Sequence, residues 1–374
     1  MLIDLLERQT MYLKTFVMLI AVFSTALVST GCDSSTAELP SIKSLETPAH
    51  HTPEGFKNLY IDDGDKNFFS FVNMRLFGPE QWADHQALAA QVPTQSVNIE
   101  RLHNPSTAGQ VTWLGHSMFL LQHQGVTVLT DPIFSDYASP LSFTGPKRYI
   151  PHMMNYSKLP DIDIVVISHN HYDHLDTATI MQLGNTPQYY VPLGLKAWFV
   201  DAGINPKRVI EMDWWDMQQA NTNTQIHATP SQHWSARGLG DRLETLWASW
   251  VITIGDYQVF FAGDTGYNPV QFKAIGAQFK HFDLALIPIG AYAPRWFMKN
   301  YHVNPEEAVQ IYQDVRAKKA IGMHWGTYPL TAEAPIDPVL RLSEALIQQQ
   351  TSTLTLNFGV FAIGETRGLH RLNL

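Results

Sequence analysis

Potential metal ligands are concentrated in one short segment of the chain. Four of them lie within six residues in His169-Asn170-His171-Tyr172-Asp173-His174, directly after the apolar run at residues 164–167. They can converge only if the chain turns tightly there, as it does between a strand and a helix. Histidine nitrogens and carboxylate oxygens are the ligands that zinc accepts where cysteine is absent, and Cys32 is the only cysteine. The segment therefore predicts a zinc site built from His and Asp.

This pattern resembles the signature of the metallo-β-lactamase superfamily. The resemblance implies that His169 and His171 bind one zinc ion and that Asp173 and His174 bind a second. Residues suited to complete both sites follow in the family's order: His233 as the third ligand of the first metal, Asp264 as a bridge between the metals, and His324 as the last ligand of the second metal. The implied cofactor is a pair of Zn²⁺ ions.

A zinc pair would give the chain hydrolytic chemistry. Two ions close together lower the pKa of a water that they share, and they stabilise oxygens at phosphorus or polarise a carbonyl. Asp173, Asp264 and His302 are predicted as catalytic residues. Groups behind the metal ligands should orient the histidines, and the candidates are Asp131 and His116. For Asp131 a plain turn before a proline is the alternative.

Other segments resemble a narrower family, the phospholipases D that hydrolyse N-acylphosphatidylethanolamine. The matching segments are residues 113–117, 131–134, 145–148, 191–194, 213–216, 230–234, 290–298 and 302–308. The resemblance implies hydrolysis of the headgroup-side phosphodiester, giving phosphatidic acid and an N-acylethanolamine, by attack of a metal-bridging hydroxide on phosphorus. It places His302 near the leaving oxygen or behind the metal ligands.

Several apolar side chains are candidates for contact with a phospholipid substrate: Trp214, Trp215, Trp296, Phe297 and Met298. They could line an acyl groove or meet the membrane, as amphipathic aromatic residues do, or they could be ordinary core residues. Two other functions remain open. One is a di-zinc hydrolase of a soluble phosphodiester or lactone, and the other is a non-catalytic zinc-binding lipoprotein.

The N-terminus resembles a bacterial lipoprotein signal. Residues 16–28 form a charge-free apolar run that is short for a membrane span but typical of a secretory signal. Small residues then precede Cys32, so residues 1–31 are predicted as a signal peptide, Cys32 as the lipidated residue and 32–50 as a tether. Asp33 indicates the periplasmic face of the inner membrane. An uncleaved anchor or a buried N-terminal helix is the alternative.

The remaining chain must supply strands that end at the candidate ligands. Short apolar runs, each followed by polar or glycine residues, lie at 111–114, 126–129, 164–167, 259–262 and 320–323. Such runs predict buried strands, whereas residues 177–183 and 305–317 predict helices. Strands mixed with helices indicate an α/β protein. The superfamily resemblance implies an αβ/βα sandwich, in which two mixed β-sheets pack together with helices outside.

Length and charge limit the remaining possibilities. The 374 residues accommodate a catalytic domain, predicted at 106–374, preceded by an N-terminal cap at 51–105. A net charge of −9 disfavours nucleic acid as a partner, because nucleic-acid binding needs a positive surface. The predicted partners are a phospholipid substrate and the membrane surface.

Overall fold

A computed structural model describes residues 47–62, 64, 68–349, 356–372 and 374. Residues Pro48–Leu374 form one compact unit, which includes the predicted cap at 51–105. The predicted signal peptide, Cys32 and most of the tether lie outside the described residues. None of the helices in the described residues has the length and apolar character needed to cross a membrane.

The described strands and helices are interspersed along the chain. The strands are β1 (His51–Thr52), β2 (Gly55–Phe56), β3 (Gln110–Gly115), β4 (Met118–His123), β5 (Val126–Thr130), β6 (Ile164–Val166), β7 (Gln188–Pro192), β8 (Val209–Met212), β9 (Met217–Asn221), β10 (Thr224–Thr229), β11 (Ser249–Ile254), β12 (Tyr257–Phe261), β13 (Leu284–Pro288), β14 (Ala320–Met323), β15 (Phe358–Gly359) and β16 (Thr366–Gly368). The α-helices are α1 (Phe68–Phe77), α2 (Ile99–His103), α3 (Thr177–Leu183), α4 (Lys196–Asp201), α5 (Pro269–Phe279), α6 (Arg295–Met298), α7 (Pro305–Asp314) and α8 (Asp337–Gln349).

Two seven-stranded mixed sheets form the body of the unit. The first has the order β16-β3-β4-β5-β6-β7-β8, with parallel pairing from β5 to β8. The second has the order β15-β14-β13-β12-β11-β10-β9, with parallel pairing from β12 to β15. Side chains from both sheets, among them Trp113, Phe119, Trp250 and Phe260, share one core. The predicted αβ/βα sandwich is confirmed.

The apolar runs of the first sheet are continuous because both of its faces are buried. One face meets the second sheet, and the other packs Leu120, Val165 and Tyr189 against Ile180 of α3 and Phe199 of α4. The helix predicted at 177–183 is therefore present with those bounds.

Helix α7 begins as predicted but ends earlier than residue 317. Its first turn is closed by a capping box, in which Asn304 accepts from the Glu307 backbone N–H and the Glu307 carboxylate accepts from the Asn304 backbone N–H. It ends at Asp314 because Arg316 adopts a φ of 59°, outside the right-handed helical region.

The strand ends that matter for chemistry lie at one edge of the sandwich. Asp131 follows β5 and His169 lies three residues beyond β6, two neighbouring parallel strands of the first sheet. Asp264 and His324 follow β12 and β14 of the second sheet. Parallel strands present their carboxyl ends at the same edge, so side chains far apart in sequence become neighbours.

Candidate metal centre

The seven predicted ligands converge on this edge and are called the metal centre below: His169, His171, Asp173, His174, His233, Asp264 and His324. One half of it is a trio of imidazoles. His169 Nε2 lies 2.8 Å from His171 Nδ1, and His233 Nε2 lies 3.3 Å from the same nitrogen. Three imidazole nitrogens this close match a metal-ligand set.

The other half combines two carboxylates with two imidazoles. His324 Nε2 lies 3.1 Å from Asp264 Oδ2 and 3.3 Å from Asp173 Oδ2. His174 Nε2 lies 3.2 Å and 3.3 Å from the same two oxygens. Asp264 also faces the first trio, because its Oδ2 lies 3.9 Å from His233 Nε2. Asp264 thus stands between the two halves.

The hydrogen-bond partners of the ligand atoms indicate whether a metal fits between them. His174 Nε2 and His324 Nε2 are buried and make ion-pair contacts of 3.1–3.3 Å with the two carboxylates, but no contact with hydrogen-bond geometry. Asp264 Oδ1 is also buried and has no hydrogen-bond partner among the described residues. Buried polar atoms are almost always paired, and the donor types here are those that zinc binds. A divalent metal therefore fits the metal centre.

Burial keeps the imidazole trio neutral. It holds the pKa of His169 well below its ordinary value and lowers the pKa of His171 and of His233 to about 3. An imidazole binds a metal only in its neutral form, so these three residues are ready to bind near neutral pH.

Opposite charges dominate the second half of the metal centre. Burial by itself lowers the pKa of His174 and His324, but the nearby carboxylates outweigh it. They hold the pKa of His174 well above its ordinary value and raise that of His324 to about 9. Burial raises the pKa of Asp264, yet the two imidazoles outweigh it and keep the carboxylate ionised.

Both predicted orienting residues contact metal-centre side chains. The buried Asp131 accepts from His174 Nδ1 (2.7 Å) and from the Ser168 backbone N–H and hydroxyl (2.7 and 2.6 Å). His116 Nε2 donates to Asp173 Oδ2 (2.9 Å). Asp131 is thus more than a turn residue, because its carboxylate fixes the ring of His174.

Arg237 supports the ligand loop and was not singled out from the sequence. Its Nη1 donates to the Asn170 and Leu175 carbonyls (2.7 and 2.8 Å), and its guanidinium lies 4.1 Å from the centre of the Tyr172 ring. These contacts tie both ends of the loop to one side chain. Residues 62 to 67 positions away supply the partners, so sequence spacing carries no signal of the arrangement.

His302 lies beside the metal centre, where its ligand atom is within 4.8 Å of those of His233 and Asp264. Its Nδ1 is 3.8 Å from Asp264 Oδ2 and has no hydrogen-bond partner among the described residues. Burial lowers the pKa of His302 to about 3. Arg295 Nη1 donates to the His302 carbonyl (2.7 Å) and Arg295 Nη2 pairs with Glu307 (2.8 Å), which anchors the segment to α7.

Four of the five predicted substrate-contact residues lie on α6 or in the loop after β8, outside the core. Trp296, Phe297 and Met298 lie on α6, just before His302, and Trp296 is 61% exposed. Trp215 is exposed in the loop after β8.

The structure corrects the expectation for Trp214. It is only 6% exposed, its Nε1 donates to the Trp247 carbonyl (2.6 Å), and its ring stacks on His50 at 4.1 Å. Trp214 is a core residue and offers no open surface to an acyl chain.

Comparison with known proteins identifies the family. Residues 126–325 match the model of the Beta-lactamase superfamily domain. The chain belongs to the metallo-β-lactamase superfamily. It is 40% identical, over 82% of its length and 90% of the relative's, to N-acyl-phosphatidylethanolamine-hydrolyzing phospholipase D 1 of Caenorhabditis elegans. A mitochondrial N-acyl-phosphatidylethanolamine-hydrolyzing phospholipase D of Saccharomyces cerevisiae is 34% identical over 72% of this chain and 61% of the relative.

Solved structures agree on the fold. An isothiocyanate hydrolase from Delia radicum gut bacteria superposes with a TM-score of 0.55 at 18% identity, covering 69% of this chain and 98% of that one. The family match and the close relatives together make this superfamily member a metal-dependent hydrolase.

Replacing the anion behind His174 should weaken metal binding. Asp131→Asn keeps the side-chain shape but removes the charge that orients the Nδ1–H of His174, so we expect metal affinity to fall roughly 10- to 100-fold. Competition with a chromophoric chelator measures the change. Asp201→Asn, at an exposed position, serves as control, and equal affinities in the two variants would show that Asp131 does not support the metal centre.

Proposed function

We propose that the chain is a di-zinc phosphodiesterase that hydrolyses N-acylphosphatidylethanolamine to phosphatidic acid and an N-acylethanolamine. The observation that carries the proposal is the metal centre with its seven ligand residues. It lies in a chain that is 40% identical, over most of its length, to an N-acyl-phosphatidylethanolamine-hydrolyzing phospholipase D. When two cations are bound, they supply a hydroxide near neutral pH and stabilise charge on phosphate oxygens.

The chain's own residues would hold and orient the reacting groups. Asp173 and Asp264 would offset cation charge, and Asp264 would contribute to both metal positions because it faces both halves of the metal centre. Neutral His302 presents its unpaired Nδ1 beside Asp264. As Nδ1–H, this nitrogen would donate a proton to the leaving oxygen of the headgroup, and the imidazole would regain a proton from water.

Exposed apolar side chains on α6 and at the end of α1 support a lipid substrate. Trp296 is held by a hydrogen bond from its Nε1 to Glu80 (2.7 Å), and Leu76 and Phe77 at the end of α1 are 66% and 78% exposed. Glu80 follows α1 closely in sequence and links that helix end to α6. Large exposed apolar side chains grouped near a reactive centre are typical of contact with a membrane or an acyl chain.

The direct test uses the full chain purified in detergent. We expect about two catalytic zinc ions per chain, and chelator-sensitive conversion of N-acylphosphatidylethanolamine in mixed micelles, followed by mass spectrometry of both products. Hydrolysis of only soluble phosphodiesters or lactones would reject the lipid substrate. Bound zinc with no turnover of any substrate would favour the non-catalytic lipoprotein.

The role of His302 can be separated from metal binding. His302→Asn should lower kcat by roughly 10²- to 10⁴-fold, the usual contribution of a positioned proton-transfer group, while zinc content stays unchanged. His370→Asn changes an exposed histidine and is the matched control. Loss of zinc from His302→Asn would instead make His302 a metal ligand.

We further propose that Cys32 is lipidated and tethers the enzyme to the periplasmic face of the inner membrane. A tethered enzyme would meet its lipid substrate at the bilayer surface. Metabolic labelling with a radioactive fatty acid should label the chain and fail to label Cys32→Ala. Equal labelling of both, or of neither, would contradict lipidation at this cysteine.

A further inference from the structure

A second cluster of ligand side chains lies where β1 meets the end of β8. His50 Nε2 is 2.7 Å from Asp213 Oδ1, and His51 Nε2 is 2.8 Å from Asp213 Oδ2. One ligand atom from each of the three residues lies within 4.8 Å of the others. None of these residues belongs to the metal centre, and more than 160 positions separate the histidines from the aspartate.

We propose that His50, His51 and Asp213 bind a further divalent cation of the zinc type, and we call them the hairpin site. Two imidazole nitrogens and one carboxylate are a protein ligand set that zinc accepts, with a fourth position left for water. The side chains of His51 and Asp213 are 24% and 19% exposed, whereas that of His50 is 7% exposed. Solvent can therefore reach the hairpin site and supply the fourth ligand.

The local charge favours a cation. Asp216 lies next to Asp213, because one of its carboxylate oxygens accepts the Asp213 backbone N–H at 2.9 Å. Two carboxylates thus lie beside the two imidazoles, and a divalent ion would be attracted to their negative charge. The charge and the donor types thus point to the same class of ligand.

Aromatic packing holds the two imidazoles in place. The His50 ring stacks on Trp214 at 4.1 Å, and the His51 ring meets Phe56 edge-on at 5.1 Å. Ligands whose orientation is already set by packing lose little freedom when a metal binds. The ligands come both from the hairpin formed by β1 and β2 and from the loop after β8. A bound cation would therefore link the hairpin to this loop.

The same segment reaches the metal centre. The Phe56 backbone N–H donates to the Leu243 carbonyl (2.8 Å), and Asn58 Nδ2 donates to the carbonyl of His233 (2.7 Å). A cation at the hairpin site would thus stabilise the start of the chain segment that supports a metal-centre ligand. Its role would be structural, since no hairpin-site residue lies among the metal-centre ligands.

The alternative is that the cluster binds no cation and only links two segments through hydrogen bonds, in which both Nε2–H groups donate to Asp213.

Measuring the zinc content of the protein distinguishes these two possibilities. The full chain, saturated with zinc in detergent and freed of excess by gel filtration, should hold about three zinc ions by elemental analysis. His51→Asn should hold about one fewer and keep its turnover at saturating zinc. His281→Asn, which changes an exposed histidine, should match the unmodified chain.

Two results would overturn the proposal: no difference in zinc content between His51→Asn and the unmodified chain, or a deficit that His281→Asn reproduces. Thermal unfolding in excess chelator tests whether the His51→Asn variant folds normally. If it does, the metal-free variant and the metal-free unmodified chain should unfold at similar temperatures. The result is independent of the proposed lipid hydrolysis. In a His169→Asn background, where turnover is abolished, adding His51→Asn should still remove one zinc ion.

Discussion

The structure depends on one costly arrangement, the burial of five imidazoles and two carboxylates at a single edge of the sandwich. Polar atoms removed from water without partners destabilise a fold, and several ligand atoms here have none among the described residues. Metal ions satisfy such atoms, so metal binding and folding stability are coupled. The rigid strand ends of the two sheets hold these groups together before a metal binds.

Part of the backbone strain in the described residues lies at the same edge. His116, Asp131 and His324 adopt φ values of 52°, 33° and 59°, a region that costs non-glycine residues about 1–3 kcal/mol each. Their surroundings enforce these conformations. The His324 N–H donates to the His116 carbonyl at 3.1 Å, and a Cβ at Gly290 would clash with the His324 carbonyl oxygen. The close fit of neighbouring loops thus sets the direction of the ligand side chains.

Support for the metal centre extends outward through buried hydrogen bonds. Asp131 fixes His174 from the first sheet, Arg237 joins both ends of the ligand loop, and Asn58 holds the backbone of His233. Each of these residues comes from a different part of the chain. Because the supports converge from several directions, the ligand loop is held more firmly than a surface loop would be.

The metal-binding loop, the strand runs and the start of α7 could be predicted from local sequence patterns, whereas His233, Asp264 and His324 were assigned only through the family resemblance. Four ligands within six residues identify a metal loop, apolar runs identify strands buried on both faces, and Asn304-Pro305 identifies a helix start. Sheet packing, by contrast, makes Trp214 a core residue, brings Arg237 against the ligand loop, and places His50 and His51 opposite Asp213. Those contacts join residues 33 to 163 positions apart. Such pairs become neighbours through sheet packing, and nothing in their local sequence records it.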